Sequence, residues 1–195
     1  MKRTANLSEI LKPLAQKPNQ AYLSNAVQVA DILEWVLQQV GYAEVWQTSF
    51  SISEEFLRRL FFICKANKVS RINLVLDHKA TNKTLKLWAF IAQVIGRTYL
   101  ADNHSKILLV RAVSRNPEPE NGKPYDSQFP VPDSHTVKTV SVVTSQNLTR
   151  GNRAESAFIS TDPEIFASLL SQVQDIIENH SVPLHDLFRN RLAAD

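Results

Sequence analysis

The chain has 195 residues, 44% of them hydrophobic and 21% charged, which suits one ordinary domain with its own core and excludes a disordered tail. A single cysteine, Cys64, excludes a disulfide framework and a cysteine-rich zinc site, and fits a reducing compartment. No apolar run approaches the roughly 18–20 residues of a membrane span, and the basic first residues lack the apolar stretch of a signal peptide. The expected location is therefore the cytoplasm, with no membrane partner; the net charge of +3 permits an anionic partner without identifying one.

Residues 1–22 read as an N-terminal arm with one helical turn at 8–12, stopped by Pro13. Over 25–40 the apolar residues Val29, Ile32, Leu33, Val36, Leu37 and Val40 recur at helical spacing, and Gly41 follows as a C-cap. Residues 44–51, EVWQTSFS, have the β-branched and aromatic content of a strand. Ser53 is placed to cap a helix, with Glu54 and Glu55 in its first turn against the dipole. Phe56, Leu57, Leu60, Phe61 and Cys64 form its expected buried face. RINLVLD at 71–77 is nearly continuous in apolar residues, as in a strand buried on both faces of a parallel sheet. A helix follows over 84–95, with Leu87, Trp88, Ile91, Val94 and Ile95 inward and Gly96 at its end.

Short strands are expected at 98–101 and 106–113. Five of the nine prolines lie between Pro117 and Pro132, so 114–135 reads as a polar loop. Strands follow at 137–144 and 154–160, then a helix capped by Asp162 with Pro163 at its first position. Ile165, Phe166, Leu169, Leu170, Val173, Ile176 and Ile177 form its stripe, and the sequence after Pro183 specifies little. Trp35, Trp46 and Trp88 read as core. Helices alternating with strands, then clustered strands and a last helix, predict an α/β fold, a layered α/β/α sandwich with a mixed sheet.

Two segments have the residue types of phosphate chemistry. His104 and Lys106 stand two apart at the entry to a strand, so they point the same way. An imidazole attacks phosphorus or donates a proton while an ammonium holds anionic oxygens. The other four histidines have no partner at metal-ligand spacing, so no metal or other cofactor is expected. The strand at 137–144 ends in a polar corner with Ser145 and Asn147 two apart, followed by Arg150, Arg153 and Glu155. Alone, each segment also reads as an ordinary turn. Asp77 and His78 end a buried strand, where open α/β sheets form ligand crevices.

Together, an HxK opening an apolar strand and a later SxN followed by LTR and a glutamate resemble the phospholipase D superfamily, in its nuclease-like branch with one HxK per chain. The resemblance covers roughly residues 44–178. It implies a phospholipase D-like catalytic domain at 23–182, with a proline-rich insertion at 114–136 and a tail at 183–195. In that family two HxK motifs meet across a two-fold axis. One histidine forms a phosphohistidine, the other protonates the leaving oxygen, and no metal is required. The resemblance thus implies that His104 is nucleophile or general acid, that Lys106 and Asn147 bind phosphate with support from Ser145, and that Glu155 pairs with His104. With one HxK per chain it implies a homodimer with the site at the interface. Arg150 and Arg153 would steer a polyanion, so DNA or RNA is the expected substrate.

The family pattern has an aspartate five residues after the lysine, where this chain has Arg111, and a glycine before the serine, where it has Thr144. The connection from Lys106 to Ser145 is also longer than the family's hairpin. Two functional expectations follow. The first is a metal-independent phosphodiesterase acting on nucleic acid. The alternative is a catalytically inactive member that keeps the groove as a nucleic-acid-binding or assembly module.

Overall fold

Local signals set the helices. In the computed structural model, which describes residues 6–66, 68–114, 137–149, 151 and 153–187 (the side chains of 80–85 excepted), α1 is a single turn at Leu7–Ile10. α2, Val29–Val40, opens on a reciprocal cap in which Gln28 N donates to Asp31 Oδ2 at 2.7 Å. It closes at Gly41, whose φ of 82° a side chain would strain. In α3, Glu54–Lys65, the Ser53 side chain accepts from Phe56 N. α4 spans Thr81–Val94, and α5, Pro163–Asn179, is capped by Asp162 with proline at its first position.

Among the described residues eight strands form one mixed sheet: β1 (Asn19–Ser24), β2 (Ala43–Ser49), β3 (Val69–Asp77), β4 (Arg97–Ala101), β5 (Ile107–Ala112), β6 (Thr139–Thr144), β7 (Glu155–Ser160) and β8 (Ser181–Pro183). Their order is β1-β7-β6-β5-β2-β3-β4-β8. β2, β3 and β4 run parallel; every other pairing is antiparallel. One sheet face packs Val45, Leu74, Leu108, Val142 and Ile159 against α2, α3 and Ile91 of α4. The other packs Trp46, Val75 and Leu109 against Phe166, Leu170 and Val173 of α5. The fold is therefore the expected layered α/β/α sandwich. Beyond α5 the outer face carries the exposed side chains Val143 at the end of β6, Phe158 of β7 and Leu23 of β1.

Several side chains differ from the sequence expectation. Ile63, not Phe61 or Cys64, completes the buried face of α3. Phe61 is 41% exposed because that face centres on Leu57 and Leu60, leaving Phe61 on the flank. Trp88 is 36% exposed, and Ile165 lies on the outer flank of α5 at 38%. Trp35 is half-buried and Trp46 is buried. β1 and β8 were not anticipated as strands; they form the two sheet edges, on β7 and β4. The expected loop at 114–135 lies outside the described residues from 115 onward. Among the described residues no helix is long and apolar enough to cross a membrane.

Candidate active site

The parallel strands β2, β3 and β4 end at one pole of the sheet, and β5 starts there. The loop 102–106 crosses this pole, so both residues of the HxK stand above the strand ends. His104 is exposed, its ring 5.2 Å from that of Phe50. Lys106 is brought to it as the two-residue spacing predicts: Nζ lies 3.4 Å from His104 Nδ1 and donates to the His104 carbonyl at 2.8 Å. With Nδ1 accepting from the ammonium, a neutral ring has its proton on Nε2, which leaves no lone pair there for attack. A nucleophilic ring needs the opposite tautomer.

The SxN corner abuts this loop. Thr144 N donates to the Lys106 carbonyl at 3.0 Å, which extends the β5–β6 ladder to the motif itself. Ser145 N donates to the Ser156 carbonyl at 3.0 Å. Asn147 is half-buried, with its Oδ1 at 3.5 Å from Ser49 Oγ. It borders a cleft with Gln28, Ser53, Arg59 and Thr149. The N-termini of α2 and α3 border this cleft, where caps satisfy part of their first-turn N–H groups and Asp31, Glu54 and Glu55 are set against the dipoles. Arg59 is engaged by Asp31 at 2.6 Å and Glu34 at 3.0 Å.

Glu155 departs from the expectation. Its Oε2 accepts from Ser145 Oγ, and its Oε1 lies 3.9 Å from Arg153 Nε; within one chain it makes no hydrogen bond to His104. The reason is register. Ser24↔Glu155 sets the carboxylate at the first position of β7, across the corner from Ser145. Arg153 is exposed, and Arg150 lies outside the described residues.

The two departures from the family motif have structural roles. Arg111 pairs with Glu44 at 2.8 Å and stacks over Trp46 at 4.9 Å. Five residue steps of about 3.3 Å each separate it from Lys106, so it sits at the opposite pole. Thr144 is buried, and its hydroxyl donates to the Ser156 carbonyl at 2.7 Å and accepts from Gln146 N at 3.1 Å. It braces the corner rather than filling the cleft.

Residues the sequence reading missed lie just beneath the site. Thr48 and Ser49 at the end of β2 and Asn103 in the loop are buried polar side chains; the run Asp-Asn-His-Ser-Lys was a signal, since Asn and Ser at a strand entry commonly bond backbone. Asp77 and His78 do neighbour the site. With Asp102 they bring one ligand atom each within 4.8 Å of one another. All three are already engaged: Asp77 by Lys79 N and Asn103 N, His78 Nδ1 by the Ala101 carbonyl, Asp102 by Lys79 Nζ. The Lys79 hydrogen bond lowers the Asp102 carboxyl below its ordinary range and raises the ammonium in turn. Elsewhere, burial pushes up the Cys64 thiol, disfavouring its reactive thiolate.

By sequence, no family model matches the chain and no curated protein does. By structure it is similar to Nuc from Salmonella typhimurium, a phospholipase D family member, at 17% identity and TM-score 0.53, covering 85% of this chain and 96% of that one. It is similar to NucT from Helicobacter pylori at 12% identity and TM-score 0.55, covering 83% and 96%. Polyphosphate kinase from Porphyromonas gingivalis superposes at 11% identity and TM-score 0.55 over 89% of this chain and 28% of that one. The mixed eight-stranded sheet, its two helical layers and these likenesses lead to one conclusion: the chain has a phospholipase D-like fold.

Proposed function

We propose that the chain is a metal-independent phosphodiesterase that cleaves nucleic acid through a phosphohistidine at a homodimer interface. The observation that supports it best is the joining of the HxK loop to the SxN corner by Thr144 N and the Lys106 carbonyl, which gathers imidazole, ammonium and amide at one pole.

The chemistry needs two rings. Nε2 of one His104, with that ring's proton on Nδ1, forms a bond to phosphorus as the bond to the leaving oxygen breaks, and the second His104, as the imidazolium, gives that oxygen its proton. The second ring then takes a proton from water, whose hydroxide displaces the phosphohistidine and frees the first ring. Lys106 and Asn147 hold the phosphoryl oxygens as charge develops. Arg153, at the rim, attracts the polyanion.

One chain has one such ring, so a second copy completes the site. The outer sheet face supports this part of the reading, because cross-strand neighbours Phe158 and Val143 present apolar surface there with Leu23. A second reading, a non-catalytic nucleic-acid-binding module, is favoured by the pairing of Glu155 with Ser145 instead of His104.

The deciding experiment is cleavage of single- and double-stranded DNA and RNA in EDTA, with molar mass measured by light scattering. Wild type is expected to run as a dimer and cleave, and His104→Ala to lose at least about 10³-fold in rate while still binding. Binding without cleavage by a dimeric wild type overturns the enzyme reading in favour of the module.

A further inference from the structure

An exposed imidazole on a loop is easily misplaced, yet the residue before it is among the most buried polar groups of the chain. Asn103 is 4% exposed. Its backbone N–H donates to Asp77 Oδ2 at 3.0 Å. Its side-chain Oδ1 accepts from Ser105 N at 3.2 Å and from Ser105 Oγ at 2.5 Å. Its Nδ2 reaches the Ser49 carbonyl at 3.5 Å. One side chain therefore grips the backbone after His104, while its own N–H is held by the end of β3.

These bonds form a connected chain. Ile107 N donates to Thr48 Oγ1 at 2.9 Å, and Thr48 Oγ1 lies 2.8 Å from Ser105 Oγ. The Ser105 proton goes to Asn103, so Thr48 is the donor to Ser105; Asn103 then donates onward to Ser49. Ser49 Oγ in turn accepts from Leu148 N at 3.1 Å, one residue past Asn147. The chain runs from the start of β5, through the HxK loop, to the end of β2 and the SxN corner. It needs a side chain that accepts and donates at once. An aspartate there would give up the donor and set a second carboxylate beside Asp77.

We infer that Asn103 is a positioning residue, fixing His104 relative to Asn147 through Ser105, Thr48 and Ser49. The inference rests on the phosphodiesterase reading and names what gives that site its geometry. A displacement of about 1 Å at a reacting group costs up to about 100-fold in rate, which is the scale of effect expected.

The test uses the full chain and bis(4-nitrophenyl) phosphate in EDTA, together with NMR of the His104 ring and amide hydrogen exchange at Ser105 and Ile107. Asn103→Asp is expected to lower kcat by about 10- to 100-fold with KM unchanged, to shift the His104 ring signals, and to speed exchange at those two amides alone. Ser105→Ala cuts the same chain and is expected to show the same pattern more weakly, which keeps the test open if Asn103→Asp fails to fold. Wild-type kcat, ring signals and exchange in these variants overturn the inference. So does faster exchange throughout the core, which marks a merely structural role. If wild type cleaves no ester, the phosphodiesterase reading fails separately, and the ring signals and local exchange alone decide whether Asn103 positions His104.

Discussion

Glu155 acts on three neighbours. It accepts from Ser145, meets Arg153, and faces the buried phenol of Tyr22. Burial, then the charges of Asp31 and Glu155, raise Tyr22 far above its ordinary value of 10.0. The sign is definite. A phenol that stays neutral in the fold contributes stability fully below the unfolded value, and that stability is lost as pH rises above it. Tyr22→Phe should therefore flatten the alkaline loss of stability, measured by urea unfolding at neutral pH and above pH 10.0. Equal alkaline slopes in the two proteins would remove the phenol from the account. At this scale His104, Lys106 and Asn147 were legible, since short spacings on a strand entry or corner fix which side chains share a side. The partner of Glu155 was not legible, because it depends on how β7 aligns with β1 and β6.

Among the elements, α5 has the most complete start signal. Asp162 Oδ1 accepts from Glu164 N at 2.8 Å and from Ile165 N at 3.3 Å, and Pro163 gives up no bonded N–H. Asp162→Ala should cost about 1 kcal/mol, and Asp162→Asn less, read as a lower urea midpoint with unchanged slope. An unchanged midpoint in Asp162→Ala would show that packing on Trp46 and Leu109, not the cap, holds this helix. Caps and 3.6-residue stripes are local, which is why α2, α3 and α5 were readable from sequence. β1 and β8 were not. β1 reads as a polar stretch, NQAYLS, that buries only Gln20 and Tyr22, and β8 is three residues long and ends in proline. Their strand character comes from their neighbours.

In the whole molecule one sheet separates two apolar clusters, and both share β2, β3 and β5. Ile159→Val on the first face should cost about 0.5–1.5 kcal/mol, and Leu170→Ala on the second about 2–5 kcal/mol. The double variant should unfold in a single transition, with the two costs adding to within about 0.5 kcal/mol. Two separated transitions in calorimetry would contradict a shared core. The same sheet carries the HxK loop and the SxN corner to one pole and Arg111 to the other.

The sequence by itself determined the layered α/β class, the caps at Gly41, Ser53 and Asp162 and the candidate pair His104 and Lys106, since all of these depend on residues within a few positions of one another. Only the tertiary structure decided which strands form the edges, where Glu155 finds its partner, and that Arg111 pairs with Glu44 while Thr144 braces the corner. It also decided that Asn103, an ordinary polar residue in sequence, is locked beneath the site. Each of these depends on strand register and sheet order, which place residues far apart in the chain within hydrogen-bonding distance and which local composition does not encode.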